Sequence, residues 1–492
     1  MFTPTRARLQ PWSRSATVGL FAFILIIAGG IPAYAGQATD INPDVSNNSD
    51  ADATTGGRVN GIGVVAGDPD TAYIASEWGG LFLTRDAGAT WSHLDTHLPH
   101  ATWDVKVDPG NTGNVYASSF YDGRTTSVAG IQVSHDGGAT WAHPASANPG
   151  TGTPCTTTTR TEPSAFGISI RPDQPATVYI GTNCGLARST DSGDTWTFLD
   201  PTGSGNAGQV WDVLAQAGGS LDVCGTQGFF HSPDGGATWV QAATAPGSGL
   251  CTLAASPDEP YVVFATSGVS IWETDDAANA AGATWTQLGS PESRTQGRIP
   301  LVATNQRADN GGNDVFDLWF GDVRLFRGAC TTPATPAPGG ALRCPAGRIP
   351  PIAGNPGPPA GWAGPFTRSA GAHDDMGDIA FDPTATVDAC PTLFSSDGGM
   401  HVNTDTGSDC HNPNWSRANV GMHAEWLWGM SGSDAAGATN ENLAYGMQDA
   451  GGVFTTNAGA DPPTWNEPNC CDVFDVLQDD ERAVWTVCCN NG

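Results

Sequence analysis

Lysine is almost absent from this chain. Lys106 stands alone beside nineteen arginines, and the 20 bases face 50 acids for a net charge of -30. A nucleic-acid-binding protein needs a basic stripe to offset phosphate charge, so that class is excluded. Charged residues of either sign make up only 14%. Helical periodicity is missing too, and Gly 64 and Pro 36 interrupt the sequence throughout, which excludes coiled coils and helical arrays. No apolar run beyond Ile31 could span a membrane. Missing as well are C-x2-C zinc knuckles, a G-x-S-x-G elbow, an H-E-x-x-H helix, a P-loop and a dinucleotide fingerprint. Zinc-protease, serine-hydrolase and nucleotide-dependent chemistry are therefore unsupported.

What is present is a chain rich enough in apolar residues to bury a core, at 39% hydrophobic with 17 Trp and 18 Phe. It opens with an export pattern over residues 1–35. Arg6, Arg8 and Arg14 precede an apolar run from Val18 to Ile27, and Ala33-Tyr34-Ala35 forms a small-x-small cleavage site. The apolar stretch from Ala16 to Ile31 is shorter than the roughly 20 residues of a spanning helix. A cleaved signal peptide and a secreted product are therefore expected. The 12 cysteines agree with an oxidising compartment, and local pairs such as Cys155 with Cys184 or Cys330 with Cys344 would suit units that fold locally. Residues 36–57 read as a polar linker.

From residue 58 onward the chain repeats itself. The octapeptide Ser/Thr-x-Asp-x-Gly-x-Thr-Trp occurs with its Asp at Asp86, Asp136, Asp191 and Asp234. Looser copies carry Asp276, Asp405 and Asn457 at that position. The spacings lie between 42 and 55 residues, except for one gap of 129 that holds a degenerate unit around Leu318-Trp319-Phe320 and a Pro/Gly-rich insert at 328–371. In the octapeptide, Ser/Thr and Asp side chains bond nearby backbone N–H groups, Gly supplies positive φ, and Trp covers the hairpin. Upstream of each copy run short β-rich segments separated by turns such as Asp108-Pro109-Gly110-Asn111. Units of about 45 residues with four short strands predict an all-β protein, a β-propeller of at least eight repeat units. A ninth unit begins at Asp472 and stops before its third strand, so further blades are expected to follow.

The octapeptide resembles the Asp-box, or bacterial neuraminidase repeat, shared by sialidases, sortilin-type receptors, xyloglucanase-type glycoside hydrolases and photosystem assembly factors. The resemblance spans Thr84 to Trp465. It implies a propeller and leaves the activity open, since such relatives include enzymes and binders.

Strand direction converts the repeat into a map. Boxes at the turns between third and fourth strands mark one face, and the turns between second and third strands open on the other. Ligand contacts are expected on that second face, from Trp78, Tyr121, Asp122, Arg124, Trp319, Arg324 and Trp428. In xyloglucanase-type hydrolases a catalytic Asp precedes a hydrophobic-Gly-Gly at such a turn. Glu77-Trp78-Gly79-Gly80 and Asp449-Ala450-Gly451-Gly452 occupy similar positions, and Asp397-Gly398-Gly399 is a shortened third. Glu77, Asp449 and Asp397 are thus the candidate catalytic carboxylates, one to protonate the leaving oxygen and one to activate water or attack. An acidic residue before Gly-Gly serves equally as a hairpin device.

Trp103-Asp104, Trp211-Asp212 and Asp378 stand at the starts of inner strands. Asp104, Asp212 and Asp378 could ring the central channel and bind a divalent cation, with His373-Asp374-Asp375 nearby in sequence; capping of strand-end amides is the alternative. No other cofactor is expected. A sialidase would place aromatic-Arg-Ile-Pro before its first boxes, whereas Arg298-Ile299-Pro300 and Arg348-Ile349-Pro350 follow Gly and come late. The favoured expectation is a secreted propeller that binds a carbohydrate or an extracellular protein. The alternative is a glycoside hydrolase on neutral polysaccharide.

Overall fold

The structure, a computed structural model, describes residues 42–44, 56–94, 101–121, 129–148, 164–242, 246–267, 270–289, 299–308, 314–321, 323–331, 343–344, 362–364, 373–385, 390–404, 414–425, 427–434, 441–448, 451–460, 462–469, 472–478 and 484–488. They belong to one compact unit, Asn42–Gly492. The expected signal peptide and most of the linker lie outside them. Among the described residues no helix is long and apolar enough to cross a membrane.

The fold is all-β, built from antiparallel sheets that follow one another along the chain. Blade 1 covers 59–93, blade 2 102–134, blade 3 165–199, blade 4 210–241, blade 5 253–289, blade 6 301–363, blade 7 376–417 and blade 8 427–469. Most have four strands. Blade 2 has three, with an isolated bridge from Val133 to Ala142 in the fourth place, and blade 6 has five. Beyond blade 8, Val473–Gln478 pairs with Val484–Cys488. The insert enters blade 6 between its third strand, Leu325–Thr331, and Trp362–Ala363, which is where other blades carry the octapeptide.

The octapeptide works as a closed hydrogen-bond set. In blade 2, Ser134 Oγ donates to Asp136 Oδ1 (2.8 Å), and Thr140 donates through its amide to Oδ1 (2.8 Å) and its hydroxyl to Oδ2 (2.6 Å). Gly138 N–H donates to Ser134 Oγ (2.9 Å), with Gly138 at φ 83°. The same bonds recur around Asp86, Asp191 and Asp234. They hold the box carboxylates below the ordinary range, Asp136 to about 2, chiefly through the threonine bond. Around Asp276 the loop holds a short 3-10 helix, Ala277–Gly282, and Asn457 takes the Asp role in blade 8 by accepting from Thr455 Oγ1 (2.7 Å). Asp405 lies outside the described residues.

Where the ring closes is not written in the repeat count. Innermost strands of blades 1 to 6 pack side by side in turn, blade 7 joins blade 6 through a core of Trp319, Leu325, Met376 and Ile379, and the series returns to its start when Met376–Phe381 of blade 7 packs against Val59–Val65 of blade 1. Seven blades therefore form the ring, and blade 8 with the last hairpin comes after the closure. Each sheet at the seam is contiguous in sequence, so closure uses packing and not strand exchange. Ile62 N–H donates to Asp378 Oδ2 (2.9 Å), and Ser395 Oγ donates to Val59 O (3.0 Å). In blades 2, 3 and 4 the box Trp indole bonds its own Gly carbonyl, but Trp91 of blade 1 donates across the seam to Ala418 O (2.7 Å). It packs there with Phe82, Leu393, Met400 and Met422. Burial of each such side chain stabilises by about 1.5–3 kcal/mol. Close blade approach requires Gly61, where a Cβ would lie 2.7 Å from Asp104 Oδ1.

Disulfides join Cys224 to Cys251 and, as the spacing suggested, Cys330 to Cys344. Cys184 and Cys390 are also disulfide-bonded. Cys155 lies outside the described residues.

Candidate functional site

The turn between second and third strands places Glu77 of blade 1 and Asp397 of blade 7 on the face away from the octapeptides. Both turns are built alike. Ser76 Oγ accepts from Gly79 N–H (3.1 Å) and Ser396 Oγ from Gly398 N–H (3.1 Å), which fixes the backbone that carries each acid. Because blades 1 and 7 are neighbours at the seam, the two carboxylates converge on one guanidinium. Arg58 Nε lies 3.0 Å from Glu77 Oε2, and its Nη1 pairs with Asp397 Oδ1. The two acids therefore reach one cation from neighbouring blades, each through a different nitrogen of it. Arg58 is positioned by its own backbone: its carbonyl accepts Glu77 N–H (2.9 Å) and Ser76 Oγ (3.0 Å), and Nε also donates to Asn60 Oδ1 (3.1 Å).

A third acid joins the group. Asp375 accepts Asp397 N–H at its carbonyl (3.1 Å) and donates its own N–H to Val323 O of blade 6 (2.7 Å), in a left-handed conformation at φ 62°. Burial pushes its carboxyl up to about 6, and the neighbouring Asp397 adds to this. Burial also raises Glu77; Arg58 opposes that and Asp397 reinforces it. Behind Asp397, His401 is fully buried against Phe394, bonded to Ser396 Oγ (3.0 Å), and held neutral with its pKa pushed down to about 3 by burial. One arginine thus serves a site with three acids, and Glu77 is the more exposed of its two carboxylate partners at 24% against 7% for Asp397.

Beside Glu77 runs a chain of aromatic rings. Trp78 meets Phe120 edge-on (5.7 Å), Phe120 meets Trp103 (6.1 Å), and Trp103 touches both Phe166 (5.5 Å) and Trp211 (5.5 Å). Phe166 and Trp211 lie 4.5 Å apart. These residues come from blades 1 to 4, and all but Phe166 are half-buried.

Asp104, Asp212 and Asp378 are not gathered into a ligand set. Each Oδ2 accepts the inner-strand amide of the following blade, from Ile168 (3.1 Å), Leu253 (2.8 Å) and Ile62 (2.9 Å), and each Oδ1 caps the next residue's N–H (2.9 Å). The chain's lysine supplies the local positive charge, with Nζ 3.1 Å from Asp104 Oδ1 and 3.7 Å from Asp378 Oδ2. Among the described residues, no cluster of three or more His, Cys, Asp or Glu is placed to hold a metal ion.

The remaining candidates are scattered. Trp319 is fully buried in the core between blades 6 and 7, which removes it from the ligand face. Arg324 Nε stands 3.9 Å from Asp374 Oδ2. Tyr121 is half-buried and its N–H donates to Ser164 Oγ (3.1 Å). Trp428 stacks on Phe474 (4.5 Å) outside the seven-bladed ring. Asp122, Arg124 and Asp449 lie outside the described residues. Sequence reasoning missed Arg58 and the role of Asp375. Arg58 precedes the first strand without a motif, and only the seam brings it to Asp397.

No protein-family model matches the chain, and no curated protein matches it by sequence. Solved structures do match. An ancestral GH74 enzyme superposes with a TM-score of 0.57 at 14% identity over 90% of this chain and 58% of the other. The GH74 xyloglucanase from Xanthomonas campestris gives 0.52 at 15% identity over 80% of this chain and 58% of its own. The chain thus spans under two thirds of the length of these enzymes, and at such identities the shared property is the β-propeller fold.

Proposed function

We propose that this protein is a secreted glycoside hydrolase of the Asp-box superfamily, acting on a neutral polysaccharide with Glu77 as general acid. The observation that carries the reading is the setting of Glu77. It is a half-buried carboxyl whose proton is held above the ordinary range by desolvation, on the ligand face, beside a strip of aromatic rings. In the proposed reaction Glu77 gives its proton to the glycosidic oxygen as the C–O bond breaks. The carboxylate left behind is met by Arg58, which Asp397 orients. Asp449, which precedes Gly451-Gly452 in the sequence as Glu77 precedes Gly79-Gly80, is proposed as the second carboxylate that activates water or attacks the sugar. A charge of -30 favours a neutral chain over an acidic one.

The test is release of reducing ends from a panel that starts with xyloglucan, the polymer for which the Xanthomonas enzyme is named. Glu77→Gln and Asp449→Asn are each expected to lower the rate by about 10²-fold or more. Full activity in Glu77→Gln, or no release by the parent, would overturn the assignment. The second reading, binding without cleavage, is favoured by the ion pair between Glu77 and Arg58 at 3.0 Å, since a carboxylate held by a guanidinium is stabilised in its charged form. Retained binding with no release would establish it.

A further inference from the structure

Arg58 has one nitrogen to spare. Its Nε serves Glu77 and its Nη1 serves Asp397, while Nη2, sealed from solvent, has no hydrogen-bond partner among the described residues. Asp375 has the matching surplus. Its Oδ1 is likewise sealed and accepts no hydrogen bond among the described residues. We infer that Asp375 is a positioning residue for Glu77, acting through Arg58 by competing for the guanidinium that Glu77 needs to hold its charge. The inference rests on the role given to Glu77 above, but not on cleavage.

Three observations carry it. The first is placement: Asp375 donates its N–H to Val323 O of blade 6 (2.7 Å) and accepts Asp397 N–H at its carbonyl (3.1 Å). Its backbone is thereby tied to the turn that carries Asp397. The second is charge balance. Burial of Arg58 disfavours its charge, and Asp397, Glu77 and Asp375 each favour it. One positive charge cannot neutralise three carboxylates, so ionisation of any one draws stabilisation from the others. The groups that act on Asp375 are Asp397, His373, Arg58 and Asp374, with Arg324 3.9 Å from Asp374, and those that act on Glu77 are Arg58 and Asp397. Arg58 and Asp397 are thus common to both.

The third is the order of ionisation. Burial, reinforced by Asp397, pushes the Asp375 carboxyl up to about 6, so it is neutral in mild acid and charged near neutrality. While neutral it leaves Arg58 to Glu77 and Asp397. Once charged it draws on the guanidinium, and Glu77, already raised by burial, holds its proton to a higher pH. A general acid working near neutrality needs that retention.

The test is a carbon-detected NMR titration of protein labelled with carbon-13 at the glutamate carboxyls, run without polysaccharide. Loss of one resonance in Glu77→Gln assigns Glu77. Asp375→Asn is expected to lower the titration midpoint of Glu77 by about half a pH unit, a roughly threefold change in proton affinity. If Asp375→Asn fails to fold, Asp375→Gly, which also accepts φ 62° and carries no charge, decides. In an Arg58→Met background the same substitution should move the midpoint far less, because the shared cation is gone. An unchanged or raised midpoint in folded Asp375 variants, or an undiminished shift without Arg58, would each overturn the inference. Where xyloglucan is cleaved, the alkaline limb of kcat/KM should move down with the midpoint. Release of reducing ends with a Glu77 midpoint indifferent to Asp375 removes the positioning role and keeps the hydrolase. A midpoint that follows Asp375 with no release removes the hydrolase and keeps the coupling of Asp375 to Glu77.

Discussion

Lys106 of blade 2 places its ammonium 3.7 Å from Oδ2 of Asp378 in blade 7, with Ile62 O of the intervening blade 1 accepting from the same nitrogen at 3.2 Å. A lysine in a chain with no other therefore ties three blades at the point where the ring closes. Replacing it with an uncharged side chain would leave two buried carboxylates facing each other across that point.

Lys106→Met is accordingly expected to destabilise the protein by about 1–3 kcal/mol, read as a lower denaturant midpoint. A chelator should leave the melting temperature of the wild type unchanged. A variant as stable as the parent would show that the ammonium contributes nothing to closure.

Arg58 faces Glu77 and Asp397 from one guanidinium. Arg58→Met removes the shared partner of two carboxylates and is expected to cost about 2–4 kcal/mol at pH 8. At pH 5 the cost should shrink, because the raised pKa of Glu77 lets that group take up a proton and shed its charge. Urea titrations at the two pH values measure the difference. An equal loss at both would place the effect in packing.

Asp375 combines a carboxyl pushed up to about 6 with a backbone at φ 62°. Its folded pKa exceeds the unfolded value near 3.9, so the native state holds more protons between the two values and stability falls as pH rises from about 4 to 6. Asn suits the left-handed conformation and carries no charge. Asp375→Asn should therefore match the wild type at pH 4 and exceed it by about 1–2 kcal/mol at pH 7.5, read from denaturant midpoints.

Glu273 of blade 5, buried, accepts the amides of Arg343 (2.6 Å) and Cys344 (3.2 Å), while Arg343 Nη2 lies 3.3 Å from Asp275 Oδ2. The Cys330–Cys344 bond ties the same residues to blade 6. Opening this loop by Cys330→Ala with Cys344→Ala is expected to cost about 3 kcal/mol. Burial holds the Glu273 carboxyl up at about 7. Its contribution should therefore weaken as pH rises from about 4.5 to 7, and Glu273→Gln should flatten that slope in a plot of melting temperature against pH.

Much of the fold was legible in the sequence because the octapeptide is a local device. Ser134, Asp136, Gly138 and Thr140 satisfy one another within seven residues, so their pattern shows through without any partner from another blade. The same is true of Cys330 with Cys344, 14 residues apart. The turns that hold Glu77 and Asp397 were likewise readable, from Gly-Gly after an acid.

The tertiary structure decided what depends on residues far apart in the chain. Arg58 and Asp397 are separated by 339 residues, and nothing local to either marks the pair. Trp91 carries the same motif as its counterparts yet bonds across 327 residues to Ala418, because blade 1 meets blade 7 there. The number of blades in the ring has the same origin. Repeat length defines a blade, but the angle and packing between neighbouring inner strands, set by contacts such as Gly61 against Asp104, determine after how many blades the last one reaches the first.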